Sequence, residues 1–334
     1  MIVATGVGPM PGTDAAAYDE AVKLVLGTLV DLPHLPDLPG RGVGADPTGR
    51  ALAVVAELGA DLQPAGWRLT DRPGVDHRRA RSLLAQDLDA VEEQSQGWSG
   101  PFKIQVTGPW TLAATVERPR GDKVLGDRGA RRELAQALAE GLRSHVADVQ
   151  RRIPDAALVV QVDEPALPAV LAAAVPTASG FHRHRSVDDP EASPALEWVF
   201  AAIRESGAVP VARCAVADAP ISLLVGAGAE GVGLDLDLLD TADYDDVAGL
   251  LDKGLPVHLG VVPVSPAPVP TDTAVAERLL RLLDMLGLDP ESAASLVLTP
   301  TSGLAGASLD DGRRRVELTQ RVAGSLRGDL TPDR

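Results

Sequence analysis

A chain of 334 residues with 33 glycines, one cysteine and a formal net charge of −16 has room for one large α/β barrel or two ordinary domains. The negative charge disfavours non-specific binding to nucleic acid or to anionic membranes, and a single cysteine rules out an intrachain disulfide framework and suits a reducing compartment. Hydrophobic residues make up 45% of the chain and aromatics only 3%, so the core is expected to be built from Ala, Val and Leu.

The first residues, "MIVATGVGPMPG", lack a basic start and a long apolar run, so no secretory leader is expected. No window offers the roughly 18 apolar residues of a membrane span, and a cytoplasmic location is the expectation. In chain order, short runs rich in Val, Ile and Leu predict strands at 1–8, 102–108, 157–163, 208–216, 231–237, 255–262 and 295–301, with weaker candidates near 30–35 and 62–68. Most are continuously apolar, which suits a sheet buried on both faces. Amphipathic patterns predict helices at 14–29, opened by Asp14 as N-cap, and at 77–95, 126–152, 194–206, 218–226, 243–253, 272–287 and 308–325. The stretch "VVPVSPAPVPTD" (261–272) is expected to be a loop leaving a strand end.

Strand–helix alternation from end to end, with eight or nine strands, predicts a single (β/α)8 TIM barrel over residues 1–326, with 327–334 a frayed tail. Neither the G-x-G-x-x-G nor the P-loop pattern occurs. The working groups of such a barrel lie at the C-terminal ends of its strands. That rule selects Gly8, Pro9, Gly108, Pro109, Trp110, Asp163, Glu164, Arg213, Cys214, Asp235, Asp237 and Ser302 as candidates. "QVDEPAL" (161–167) is the most informative stretch. Its acid pair is either an N-cap before a helix-compatible proline or a carboxylate placed to hold an ammonium or move a proton. In "GLDLD" at least one of Asp235 and Asp237 is expected at the strand's end, because inward acids in an apolar core are costly. His182-x-His184 has the spacing of two ligands on an extended segment, but its flanking arginines would repel a cation. His258 is expected to be a satisfied strand histidine, and His34 is placed at the mouth. Cys214 alone is most simply a small hydrophobe.

Taken together, "TGVGPMPG", "TGPWTL", "QVDEPAL", "PVARCAV", "GLDLD" and "PTSGL" resemble, in order and approximate spacing, the motifs of the catalytic barrel of cobalamin-independent methionine synthase. The likeness spans nearly the whole chain and is similar in length to the archaeal short form. It extends more distantly to uroporphyrinogen decarboxylase barrels. The resemblance implies methyl transfer to a small thiol such as homocysteine, activated by zinc, with 5-methyltetrahydrofolate or a methylated corrinoid protein as donor. It implies that Asp163 binds the substrate amino group and that Glu164 shapes the same pocket. Gly108 and Pro109 would lie beside the methyl donor, with Trp110 stacking on a flat pterin.

The zinc set departs from the family pattern. H-x-C falls on Ala212-Arg213-Cys214, the acidic strand end carries Asp235, and the later cysteine has become Ser302. In a register shifted by one, Arg213 replaces the histidine and Ala215 the cysteine. Pro9 stands where the family has a serine near the substrate carboxylate. A degenerate metal set of Cys214, Asp235 and Ser302 is what remains, with Arg213 free to bind a carboxylate or stabilise a thiolate. The resemblance therefore leaves three readings. One is a methyltransferase impaired by the loss of ligands, a second is a non-catalytic homologue that binds an amino acid or anion, and a third is a metal-free, decarboxylase-like lyase.

Overall fold

The structure, a computed structural model, describes residues 2–264, 266–288 and 292–330. Its main sheet contains seven parallel strands: β1 (Val3–Ala4), β4 (Pro101–Thr107), β5 (Ala157–Asp163), β6 (Val209–Arg213), β7 (Val232–Asp235), β8 (Val257–Val262) and β9 (Leu296–Pro300). They run in the order β1-β9-β8-β7-β6-β5-β4. Helices follow the strands along the chain and cover the outer face, as parallel crossovers require. No helix among the described residues is long and apolar enough to cross a membrane.

The gap between β1 and β4 is closed by residues 33–37, which lack a regular strand yet bond to both neighbours. The Leu35 amide donates to Lys103 O at 2.8 Å, and the Lys103 amide donates to Pro33 O at 2.9 Å. On the other side the Asp37 amide donates to Gly8 O at 3.0 Å, and the Met10 amide to Asp37 O at 2.7 Å. Two prolines, Pro33 and Pro36, remove ladder donors there, which explains why the eighth strand is weak in sequence and irregular in space. The cylinder is an eight-membered (β/α)8 barrel.

Two sequence expectations change. The candidate at 62–68 is not a barrel strand. It belongs to an antiparallel hairpin of β2 (Gly59–Gln63) and β3 (Gly66–Thr70), which forms a separate sheet. The tail does not fray at 327, because the last helix runs from Leu309 to Leu330 and Arg327 donates to Ile2 O at 2.8 Å. Residues 331–334 lie outside the described residues, as does Ser265 within the expected Pro-rich loop.

Local chemistry fixes the helices that matter for the site. The helix Arg128–Arg152 starts where Asp127 accepts from the Ala130 amide at 2.9 Å, a cap worth about 1 kcal/mol. Its Leu134, Leu138, Leu142, Val146 and Val149 recur at helical spacing and are buried. The helix Asp189–Glu205 starts likewise at Asp188, and buries Leu196, Val199, Phe200 and Ile203. These two helices pack on each other, and the second also lies against β6.

Candidate functional site

Alternation along the strands separates two linings. On β4, Phe102, Ile104 and Val106 turn to the helices and are buried in the core, while Lys103 and Gln105 turn into the barrel. On β5, Gln161 and Asp163 share the inner face. The Lys103 ammonium donates to Gln161 Oε1 at 2.9 Å and approaches Val7 O at 3.4 Å. Gln161 Nε2 donates to Val7 O at 3.0 Å and to Asp163 Oδ1 at 2.9 Å. Its amide is thus used at both ends, and it hands the position of Lys103 on to Asp163.

Asp163 pairs in register with Arg213 on β6, and Arg213 Nη1 stands 3.8 Å from Asp163 Oδ1. The guanidinium is anchored from the far side, where Nη2 donates to Thr301 O at 2.9 Å. Burial pushes the Asp163 carboxyl up and the Lys103 ammonium down, and each charge partly restores the other. His258, on the inner face of β8, is pushed down to about 3 by burial and by the Lys103 and Arg213 charges. Its buried Nδ1 has no hydrogen-bond partner among the described residues, so it is not the satisfied strand histidine that the sequence led us to expect.

A second network braces the closing segment. Gln105 Nε2 donates to Asp37 Oδ2 at 2.8 Å. Arg50 bridges Asp37 and Asp87 at 2.5 Å each, and Arg41 grips Asp87 with two bonds of 2.7 Å. The four charged side chains, Asp37, Arg41, Arg50 and Asp87, are nearly sealed from solvent. Removing Arg50 would strand the Asp37 carboxylate, and removing Asp87 would strand the Arg41 guanidinium. His34 is not at the mouth. It is buried beside Lys103, which together with burial lowers its pKa. Gly6 passes so close that a Cβ there would lie 2.1 Å from the His34 ring.

Glu164 turns the other way from Asp163. Its Oε1 accepts from the Trp110 amide at 2.8 Å, and its Oε2 accepts from the Thr111 amide and hydroxyl at 2.7 Å each. It therefore caps the helix Pro109–Thr115 from a neighbouring strand end and is fully buried. Burial pushes it up to about 7 against those donors. Gly108 is required by this contact, since a Cβ there would sit 2.4 Å from Glu164 Oε1. The two most specific motifs of the sequence thus interlock as a structural joint. Trp110 is built into that joint: it is 2% exposed and donates Nε1 to Ala192 O at 3.0 Å, so its ring faces the outer helices, not the barrel mouth.

Cys214 also points away from Arg213. Its Sγ donates to Glu164 O at 3.3 Å, and burial, with Glu164 nearby, pushes the thiol up to about 12. Asp235 ends β7 two residues past Gly233, the register partner of Arg213, and accepts from the Asp237 amide at 3.0 Å. Asp237 pairs with Arg278. Ser302 is exposed on the rim, one residue past the Thr301 carbonyl that holds Arg213. The loop after β1 closes over this edge, where the Leu304 amide donates to Pro9 O at 2.8 Å. Gly8 holds a positive φ of 138° against the Gln105 side chain. In the loop after β5, His184 pairs with Asp122 at 3.3 Å and His182 is exposed. Among the described residues no group of three or more His, Cys, Asp or Glu side chains is placed to hold a metal. Zinc asks for three or four deprotonated donors. A protonated thiol bonded to a backbone carbonyl, with no set of three donors around it, does not fit it.

Lys103, Gln105, Asp37 and Arg50 were not singled out in the sequence. The polar residues at 103, 105 and 107 alternate with Phe102, Ile104 and Val106, and that period of two was the available signal for an inward polar face.

Compared with known proteins, the chain matches no family model and no curated protein sequence. Among solved structures it superposes on a B12-independent methionine synthase from Shewanella sp. W3-18-1, in complex with selenomethionine. That match has a TM-score of 0.65 at 12% identity and covers 99% of each chain. A β-galactosidase from Marinomonas ef1 is less similar, with a TM-score of 0.49, 12% identity, and coverage of 99% of this chain and 61% of that one. A β-mannanase from the blue mussel Mytilus edulis has a TM-score of 0.47 at 10% identity, over 96% and 92% of the two chains. The first likeness establishes the (β/α)8 fold, and the weaker two add nothing to it.

Proposed function

We propose that the barrel mouth binds a small α-amino acid as its zwitterion, with Arg213 taking the carboxylate and Asp163 the ammonium, in a protein related to the methionine synthase barrels. The observation that carries this reading is the Asp163–Arg213 pair, opposite charges in register on adjacent strands and 3.8 Å apart. Their side chains keep 21% and 14% of their exposure, so both can be reached from the mouth, whereas Lys103 and Gln161 beneath them are sealed. Lys103 helps keep Asp163 ionised for an incoming ammonium. The selenomethionine held by the Shewanella methionine synthase is a ligand of the same chemical class.

The donor set argues for binding that does not depend on zinc. A second reading, S-methyl transfer to a thiol amino acid such as homocysteine, is favoured by the cationic floor of the site. Arg213 and Lys103 would stabilise a substrate thiolate, whose sulfur would take the methyl carbon as that carbon's bond to the donor breaks. The test is calorimetry with homocysteine and methionine, followed by a turnover assay with 5-methyltetrahydrofolate. Binding without turnover supports an amino-acid-binding protein, and turnover supports the transferase. If neither amino acid binds, the site assignment fails.

A further inference from the structure

Away from the barrel mouth, a cleft opens between the first turns of the helices Arg128–Arg152 and Asp189–Glu205. It has a volume of about 480 Å³, and its floor and walls include Trp110, Trp198, Pro190 and Pro194. Arg128, Arg131 and Arg132 stand on its edge. A second hollow of about 570 Å³ shares Arg128 and Arg131 with it and adds Arg183, His184 and Arg185 from the loop after β5. The two hollows together are lined by five arginines and a single carboxylate, that of Glu191. This is a local reversal of sign in a chain whose net charge is −16.

Glu191 does not neutralise the cluster. Its Oε1 accepts from Arg128 at 3.0 Å and from Arg131 at 2.8 Å, so one carboxylate oxygen is shared by two guanidinium groups, with the Asp127 charge also acting on Arg131. Arg131 is also held over the Trp110 ring, with its Cζ 5.6 Å from the centroid. It is 14% exposed, and its buried Nε has no partner among the described residues. No carboxylate among the described residues pairs with Arg132, Arg183 or Arg185. Five like charges gathered beside partly exposed apolar and aromatic surface repel one another unless an anion joins them.

We infer that this cleft is a binding site for a small multivalent anion carrying a flat aromatic ring, of nucleotide size and chemistry. The ring lies against Trp198 and the two prolines, and the anionic groups reach Arg132 and the pair Arg183 and Arg185. The joined volume suits a small-molecule ligand, and guanidinium forks are the side chains best matched to phosphate or carboxylate oxygens. The site does not depend on the amino-acid reading of the mouth.

The test uses the full chain with ATP and inorganic tripolyphosphate as probes, read by calorimetry and by tryptophan fluorescence. ATP is expected to bind one site per chain, to quench fluorescence, and to bind about tenfold more tightly than tripolyphosphate through ring stacking. The triple variant R132A/R183A/R185A, whose side chains are solvent-exposed, is expected to lose at least about tenfold in ATP affinity. D163N is expected to leave it unchanged. No ATP binding at millimolar concentration overturns the inference. So does equal binding of the two probes, affinity untouched by the triple variant, or loss of ATP binding in D163N.

Discussion

Asp163 on β5 and Arg213 on β6 face each other across one rung of the barrel, with Oδ1 and Nη1 3.8 Å apart. Each is anchored from its other side, Asp163 by Gln161 and Arg213 by Thr301 O. The gap is held open by the surrounding hydrogen bonds, with no collapse into a close ion pair. Replacing Asp163 with Asn should therefore keep the geometry and remove the charge. Amino-acid affinity is expected to fall about tenfold or more, as for loss of a charged hydrogen-bond partner, while the midpoint of unfolding changes little. Equal affinity of D163N and parent in calorimetry rejects the ammonium-binding role.

Glu164 gives a pH signature. Its folded-state pKa is raised from 4.5 to about 7 by burial, so the folded protein holds the proton more tightly than the unfolded chain. The stabilisation is full below about pH 4.5 and is lost as pH rises to about 7, at most about 3 kcal/mol over that window. Glu164→Gln removes this slope. Denaturant unfolding of both proteins at several pH values should show the parent losing ground to the variant as pH rises. A difference that does not vary with pH contradicts the shift.

Lys103 predicts the opposite trend at high pH. Burial lowers its folded-state pKa from 10.5 to about 7, so the unfolded chain binds the proton more tightly. Stability on this account should rise as pH climbs from about 7 towards 10.5, and Lys103→Met should abolish that rise. In Lys103→Met the His258 pKa should also move up, because Lys103 is one of the charges depressing it. NMR titration of the histidine that fails to shift would remove Lys103 from its surroundings.

Cys214 should behave as a buried thiol and not as a metal ligand. With a thiol raised to about 12 and bonded to Glu164 O, it should be inert to a thiol-specific disulfide reagent in the native state and react only on unfolding. Cys214→Ala should lose about 1 kcal/mol of packing and retain amino-acid binding, and added zinc should not raise the thermal midpoint of the parent. Rapid native labelling, or a zinc-dependent rise, would return Cys214 to the chemistry.

Two glycines should respond in opposite directions to the same substitution. Gly108→Ala drives a Cβ to 2.4 Å from Glu164 Oε1 and should destabilise by about 1–3 kcal/mol through overpacking. Gly324→Ala, inside the last helix with nothing within 4 Å of the added atom, should stabilise by about 0.5–1 kcal/mol. Thermal melts of the two variants moving the same way would refute the role given to Gly108.

Much of the barrel was legible because period and composition are local. The runs at 102–108, 157–163 and 295–301 form strands, and Asp14, placed at the head of the first helix, accepts from the Ala17 amide there. The stretch at 62–68 was misplaced because an apolar run does not state its partner: Leu62 pairs with Trp67 in a hairpin and not with a barrel strand. The site was only half legible. Asp163 and Arg213 follow from the strand-end rule, but the motif "DEP" gives no hint that adjacent acids separate, one into the barrel and one under a helix.

By itself the sequence determined the strand–helix alternation and the parallel barrel, together with the acidic balance and the strand ends where polar groups emerge. Those follow from side-chain period and backbone propensity over a few residues. Tertiary structure alone decided which polar groups meet: that Glu164 caps Trp110 and Thr111, that Cys214 faces Glu164 O, and that Lys103 lies beneath Asp163. Those contacts join residues about 50 or more positions apart in the chain. Their formation depends on strand register, the sense in which each side chain leaves the sheet, and the balance between burying a charge and finding it a partner.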